Sequence, residues 1–329
     1  MSRRFRHLLA YAASMFSLLI FQLLMFLPGI SKLSDYHADL FYALISQAVC
    51  MGGIPLAVLL LVREKELGVA DTFRYMRYKK PTDAKSALLA TIGIALLITP
   101  FTMAFNALTN LLFIVIGYTR SVSVGAIYGG AGDFFFYLFV TAALPAVFEE
   151  FTHRGVLLSG LEDRGSEYTA VIFSALFFGL MHENPSQMIY ATFGGILFAL
   201  VVLKTGTILP AMVAHFANNA VAVFLDYSAQ KGTRFGVWYE SLISSANALS
   251  FLLTVVVMVA GIYGIIRILQ YLSRKNEKPV SERKLFGVIT VDGYKPNGKA
   301  TLKDNAFLYA TAITEGAVLL IYLVWGMIR

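Results

Sequence analysis

Two adjacent carboxylates, Glu149 and Glu150, stand in the stretch ALPAVFEEFTHRG (143–155), together with His153 and Arg154, in otherwise apolar surroundings. An ionisable group in such a run costs several kcal/mol unless it meets a partner or a cavity, so each is a candidate for chemistry. Further candidates are His182 in FSALFFGLMH, and His215 and Asn219 in LPAMVAHFANN. For any one of them alone, a polar contact between helices is an equally good explanation.

Helical spacing divides the group. Adjacent residues point about 100° apart, so Glu149 and Glu150 are expected to serve different places. Glu150 and Arg154 are four apart on one face and are expected to pair, fixing the helix and leaving Glu149 as a free carboxylate able to act as a general base. His153, four after Glu149, is expected to face the membrane interface. His215 and Asn219 are also four apart and offer two donors that could hold a developing oxyanion, while Asn218 is expected to point elsewhere. Pro145 deprives the Thr141 carbonyl of its helical donor and is expected to bend the span beside the site.

Other hydrolase signatures fail. HENPSQ at His182 begins like H-E-x-x-H, but Ser186 stands where the second His is required, and Pro185 interrupts the spacing. No G-x-S-x-G elbow is present. GAGD (130–133) precedes its helix, which makes Asp133 an expected helix cap.

The elements that must position these residues follow from composition. The chain has 329 residues, 57% of them hydrophobic and only 14% charged. Its mean hydropathy is +0.68, far outside the range of a soluble globular domain. The fold class expected is all-α, a polytopic transmembrane helix bundle of about eight to ten spans. Helices are expected at about 8–29, 41–62, 85–118, 133–158, 168–183, 188–204, 208–226, 247–271 and 306–328. Pro100 is expected to kink the third or split it in two. The basic N-terminus resembles a signal peptide, but its apolar run is too long and no cleavage site follows, so it reads as an uncleaved first helix. Alternation in LFGVITVDGYKPNGKATL, around Asp292-Gly293 and Asn297-Gly298, predicts a small hairpin before the last helix.

Lys and Arg crowd the N-terminus and the loops at 63–80 and 274–284, whereas loops 30–40, 119–132 and 227–246 are poor in them. The positive-inside rule then predicts an integral plasma membrane protein with its N-terminus in the cytoplasm. The same rule accounts for the net charge of +7, so no nucleic-acid partner is implied. The single Cys50 can build neither a disulfide framework nor a Cys-rich metal site. Counted from the cytoplasmic ends, Glu149 lies roughly 13 Å deep, His182 about 21 Å, His215 about 10 Å and Asn219 about 16 Å. Three helices thus bring polar groups to overlapping depths, as an internal site in a helix bundle requires.

The motifs resemble those of the CAAX prenyl endopeptidase and bacteriocin-processing group of intramembrane proteases, the CPBP or Abi family. Its pattern is Glu-Glu-x-x-x-Arg, then Phe-x-x-x-His, then His-x-x-x-Asn. Here EEFTHR (Glu149 to Arg154), FGLMH (Phe178 to His182) and HFANN (His215 to Asn219) match in that order. The resemblance covers about 133–226, with transmembrane helices expected before it (1–132) and, with a basic loop, after it (227–329). It implies an endopeptidase acting on a membrane-associated peptide or protein in the lipid bilayer. Glu149 and His182 would activate the attacking water, His215 and Asn219 would stabilise the oxyanion, and Glu150 with Arg154 would be structural support. Glu149, His182 and His215 could fill three positions of a divalent metal such as zinc, or Glu149 could activate water without metal; the sequence leaves both open. Two other readings stand beside the peptidase: a non-proteolytic immunity factor or membrane scaffold of the same fold, and a proton-coupled transporter. The absence of an internal repeat weakens the transporter.

Overall fold

The computed structural model describes residues 1–25, 35–64, 67–81, 83–118, 128–163, 166–244, 248–275, 282–285, 289–292 and 300–327. In an apolar surrounding, backbone groups have no partners but one another, so each apolar run closes its own hydrogen bonds as a helix. The helices are α1 (Arg3–Met25), α2 (Asp35–Ala43, Leu44–Gly53 and Ile54–Leu61 in succession), the short α3 (Val69–Tyr75), α4 (Ala84–Val115) and α5 (Ala131–Glu162). They continue with α6 (Glu167–Leu180), α7 (Pro185–Thr205), α8 (Leu209–Gln230), α9 (Arg234–Ser244), α10 (Ala248–Lys275) and α11 (Leu302–Met327).

Seven of them, α1, α2, α4, α5, α7, α10 and α11, are long and apolar enough to cross a membrane. The protein is an all-α multi-pass membrane protein. The other two expected spans also form helices. α6 has 14 residues, about 21 Å, and is too short to cross on its own. α8 has 22 residues, but His215, Asn218, Asn219 and Asp226 dilute its apolar character. α4 runs unbroken through Pro100, so the expected split does not occur. The hairpin exists but is displaced: β1 (Glu282–Leu285) pairs antiparallel with β2 (Ile289–Asp292), with Glu282 opposite Asp292 and Leu285 opposite Ile289. That register puts the connection at 286–288, so Asp292 closes the second strand instead of opening a turn, and Asn297-Gly298 lies outside the described residues.

α5 is the axis of the bundle. Every residue from Glu149 to Leu161 is buried, and α1, α2, α6, α7 and α8 pack around it. A helix buried all round belongs to a core, which is why its polar side chains must find partners inside. α4 lies against α8 and α10, and α11 lies on α1. α6 and α7 approach closely because small residues face each other. A Cβ on Gly179 would come 2.0 Å from Thr192 Oγ1 and 2.6 Å from the Met188 carbonyl, and one on Gly195 would come 3.0 Å from Ala175 Cα.

Both α2 and α5 contain π-wound turns, at Leu44–Gly53, Leu138–Ala143 and Phe151–Leu158. The first two are each followed by a proline at the second residue of the next segment, Pro55 and Pro145, whose missing N–H is least costly where the winding changes. Polar ties close the two ends of the bundle. At the carboxy end of α5, Arg4 donates to the Leu161 carbonyl (2.6 Å), Arg3 pairs with Asp163 (3.4 Å) and Arg77 pairs with Glu162. Cations there complement the helix dipole. At its amino end Lys231 donates to the Tyr128 carbonyl (2.7 Å) and Tyr137 to Asp39 (3.0 Å). The basic N-terminus and the described part of the loop at 63–80 therefore share one side of the bundle, and the described parts of the Lys/Arg-poor connections, at Asp39, Tyr128 and Lys231, share the other.

Candidate active site

Glu149 and Glu150 lie at the end of the α-wound stretch of α5 that follows Pro145, and both bear on one imidazole. His215 Nδ1 is 3.0 Å from Glu150 Oε1, and His215 Nε2 is 3.9 Å from Glu149 Oε2. The expectation that the two carboxylates serve separate places is thereby corrected. They do diverge around the helix, but α8 inserts the ring of His215 between them. The same Glu150 Oε1 accepts from Arg154 Nη1 at 2.9 Å, and neither residue of that pair has any exposed surface. Arg154 Nη2 donates onward to the Gly195 carbonyl of α7 at 3.1 Å. A buried pair held by extra hydrogen bonds of this kind works as a fixed brace.

Phe178 is the platform of the site. The Arg154 guanidinium lies 4.3 Å from its ring centroid, a cation–π contact in a dry setting. Around its edge stand the rings of His153 (5.2 Å), His182 (5.2 Å) and His215 (5.7 Å). The phenylalanine four residues before His182 thus meets all three imidazoles. His182 Nδ1 is 2.7 Å from the Phe178 carbonyl, which leaves Nε2 as its free nitrogen. Glu183 beside it adopts a left-handed conformation (φ 54°), closing the sharp turn that aims His182. Burial pushes the Glu183 carboxyl up to about 7. His153 does not face the interface: it is fully buried, with Nδ1 3.0 Å from the Glu149 carbonyl and Tyr11 packed on its other side. The reason is α1, which covers this face of α5 and which spacing within α5 cannot reveal.

A cavity of about 850 Å³ opens beside these groups, reached by Glu149, His182, His215 and Asn219 together. Its wall extends to Asp39, Asp133 and Tyr137, at the Lys/Arg-poor end of the bundle. Asp133 also accepts from the backbone of Gly129 (2.5 Å) and Gly130 (3.1 Å), so it caps α5. Asn219 Nδ2 donates to the Thr141 carbonyl at 3.2 Å, the carbonyl four residues before Pro145. Asn218 does not point elsewhere: it lines the cavity, donates to Asn219 Oδ1 (3.2 Å) and accepts from Thr102 of α4 (2.5 Å). The partner from α4 holds it there.

One residue escaped the sequence reading. Gln47, on the π-wound part of α2, donates from Nε2 to Glu149 Oε1 at 3.0 Å and lines the cavity. Its signal was the same as for the others, a polar side chain inside an apolar run, but it carries no charge to draw attention. With Oε1 tied to Gln47, Oε2 is the Glu149 oxygen that faces His215 across a gap too wide for a direct hydrogen bond. The donor chemistry of Glu149, His182 and His215 suits a metal, yet among the described residues no three His, Cys, Asp or Glu side chains form a metal-holding group.

Fold and site define a helical membrane protein with a buried Glu/His cavity. Residues 131–221 match the family described as Rce1-like, type II CAAX prenyl endopeptidase, a protease family, and all three motifs fall inside the match. This segment carries the CAAX-endopeptidase resemblance of the chain. No curated protein and no solved structure gives a significant match.

Proposed function

We propose that the protein is an intramembrane endopeptidase of the CAAX type, hydrolysing a peptide bond in a membrane-associated peptide or protein by a water that Glu149 activates. The observation that carries this reading is the division of oxygens on Glu149. One is anchored by Gln47, and the other faces the cavity opposite His215 Nε2. Glu149 Oε2 takes a proton from water as the water oxygen attacks the scissile carbonyl. His182, which lines the same cavity, helps to hold that water. Asn219 donates to the oxyanion of the tetrahedral intermediate, and His215, whose Nδ1–H is held by Glu150, donates from Nε2 when the ring is doubly protonated. Collapse breaks the C–N bond, and the proton on Glu149 passes to the leaving amine. The carboxylate is thereby restored.

The same reading puts the protein in the plasma membrane with its N-terminus cytoplasmic, because the basic connections lie together on one side. The test is cleavage of membrane-associated peptides, prenylated CAAX peptides among them, by the purified full chain in lipid vesicles. Wild type should cleave, and folded Glu149→Ala should lose activity by about 10³-fold or more, a base and its positioning being lost together. If no peptide is cleaved, and cells carrying Glu149→Ala, His182→Ala or His215→Ala keep every phenotype and the same peptide content, the peptidase reading fails. Metal analysis of the active protein, with activity in chelator, tests water activation by Glu149 alone.

A further inference from the structure

A second polar site lies outside the CAAX-like segment's motifs, between the first and last helices. Glu315, on α11, is only 8% exposed, and both its carboxylate oxygens are buried with no hydrogen-bond partner among the described residues. It lines a small cavity of about 20 Å³, room for one ion or water, together with Gln22 of α1, Thr311 and Thr314 of α11, and Glu183 of the turn after α6. Gln22 Oε1 is also buried without a partner. Thr311 and Thr314 donate their hydroxyl hydrogens to the carbonyls of Phe307 (2.9 Å) and Ala310 (3.0 Å), so their lone pairs are free for a Lewis acid. Among the described residues no Lys, Arg or His lines this cavity, and Glu183 and Glu315 lie within range of each other's charge.

Two carboxylates, an amide oxygen and two hydroxyls form an all-oxygen set that reaches charge −2 when both carboxylates are ionised, the chemistry that takes up a hard divalent cation. We propose that Gln22, Glu183, Thr311, Thr314 and Glu315 form a binding site for a divalent cation of the calcium or magnesium class, joining α1 and α11 to the turn that carries His182. A neighbouring cavity of about 350 Å³ shares Gln22 and Glu183 with this one and includes His182 in its wall. Occupancy thus ties the last helix, which lies outside the family match, to an active-site element. The proposal does not rest on the peptidase reading.

The experiment titrates CaCl2 and MgCl2 into the chelator-treated full chain in detergent, read by thermal unfolding and by calorimetric binding. Wild type should gain Tm saturably and bind one ion per chain. Glu315→Gln should lose roughly tenfold or more in affinity while being at least as stable as wild type in chelator, because a buried unpaired carboxylate has gone. Gln22→Met, which removes an oxygen but no charge, should weaken binding less. Glu149→Gln, inactive under the peptidase reading, should keep the full response, so failure of one claim is distinguishable from failure of the other. A response kept by Glu315→Gln or abolished by Glu149→Gln, stabilisation by Na⁺ alone, or stabilisation by acidification with no effect of either divalent cation each overturns the proposal.

Discussion

At the scale of single residues, the site turns on Glu150 Oε1, which meets both Arg154 and His215. Arg154 has no solvent, so its charge depends on Glu150. Glu150→Gln should destabilise the fold by about 3–5 kcal/mol, and Glu150→Gln combined with Arg154→Met should recover most of that, since the cost lies in the charge left unpaired. Thermal unfolding of the purified variants checks both. A smaller loss in the single variant than in the double would show that the pair is not a brace. Gln47 acts through Glu149. Gln47→Leu should lower kcat by about tenfold or more with a smaller change in KM, because its main effect is to free the carboxylate to rotate, while the cavity wall loses one amide and keeps a side chain of similar size. The split between the two constants distinguishes positioning from loss of binding. Gln47→Glu should be worse than Gln47→Leu, since it sets a second carboxylate against Glu149.

At the scale of elements, the geometry depends on how closely helices approach and on how they turn. Gly179 lets α6 lie against α7, and the nearest obstacle to a Cβ includes the Met188 carbonyl, a backbone atom that cannot swing away. Gly179→Ala should therefore destabilise by about 1–3 kcal/mol and reduce cleavage through displacement of Phe178 and His182, whereas Gly194→Ala, on the cavity wall where a Cβ meets no described atom within 4 Å, should leave stability nearly unchanged. Parallel unfolding and activity measurements on the two variants decide this. The turn between α6 and α7 adds a pH dependence. The Glu183 carboxyl ionises near 7 in the fold against 4.5 when free. Below 4.5 it is protonated in both states and adds nothing. Between 4.5 and 7 the unfolded chain ionises first, so stability falls as pH rises, and above 7 the penalty is constant. In chelator, wild type should lose Tm across this window, and Glu183→Gln should flatten that part of the profile.

At the scale of the whole molecule, polar ties gather the connections at two ends, and the large cavity extends to the Lys/Arg-poor one. The proposed cytoplasmic basic end, together with the peptidase reading, predicts that substrate enters from the opposite face. A membrane-impermeant maleimide applied to intact cells should label Ala38→Cys, at the cavity wall, and should label Lys79→Cys only after permeabilisation. Cys50, buried in the core, should stay unlabelled in wild type. The reverse pattern would invert the orientation and put the cavity on the cytoplasmic side.

The sequence by itself determined the helices, because the cost of an unpaired backbone group in an apolar setting leaves a long apolar run no other structure. It also marked Glu149, Glu150, Arg154, His182, His215 and Asn219, since charge and polarity in such runs are costly enough to stand out. Spacing within one helix correctly paired Glu150 with Arg154, for that contact lies four residues apart on a single element. Where the contact crosses between elements, the sequence had no means to choose. Only the tertiary structure decided that α8 sets His215 between the two carboxylates, that α2 brings Gln47 to Glu149, and that α1 buries His153. Only the packing of α11 on α1 gave Glu315 a cavity shared with the turn beside His182. Helical periodicity fixes directions around an axis, but the meeting of two axes depends on which small residues let backbones approach, and that is settled by the whole bundle at once.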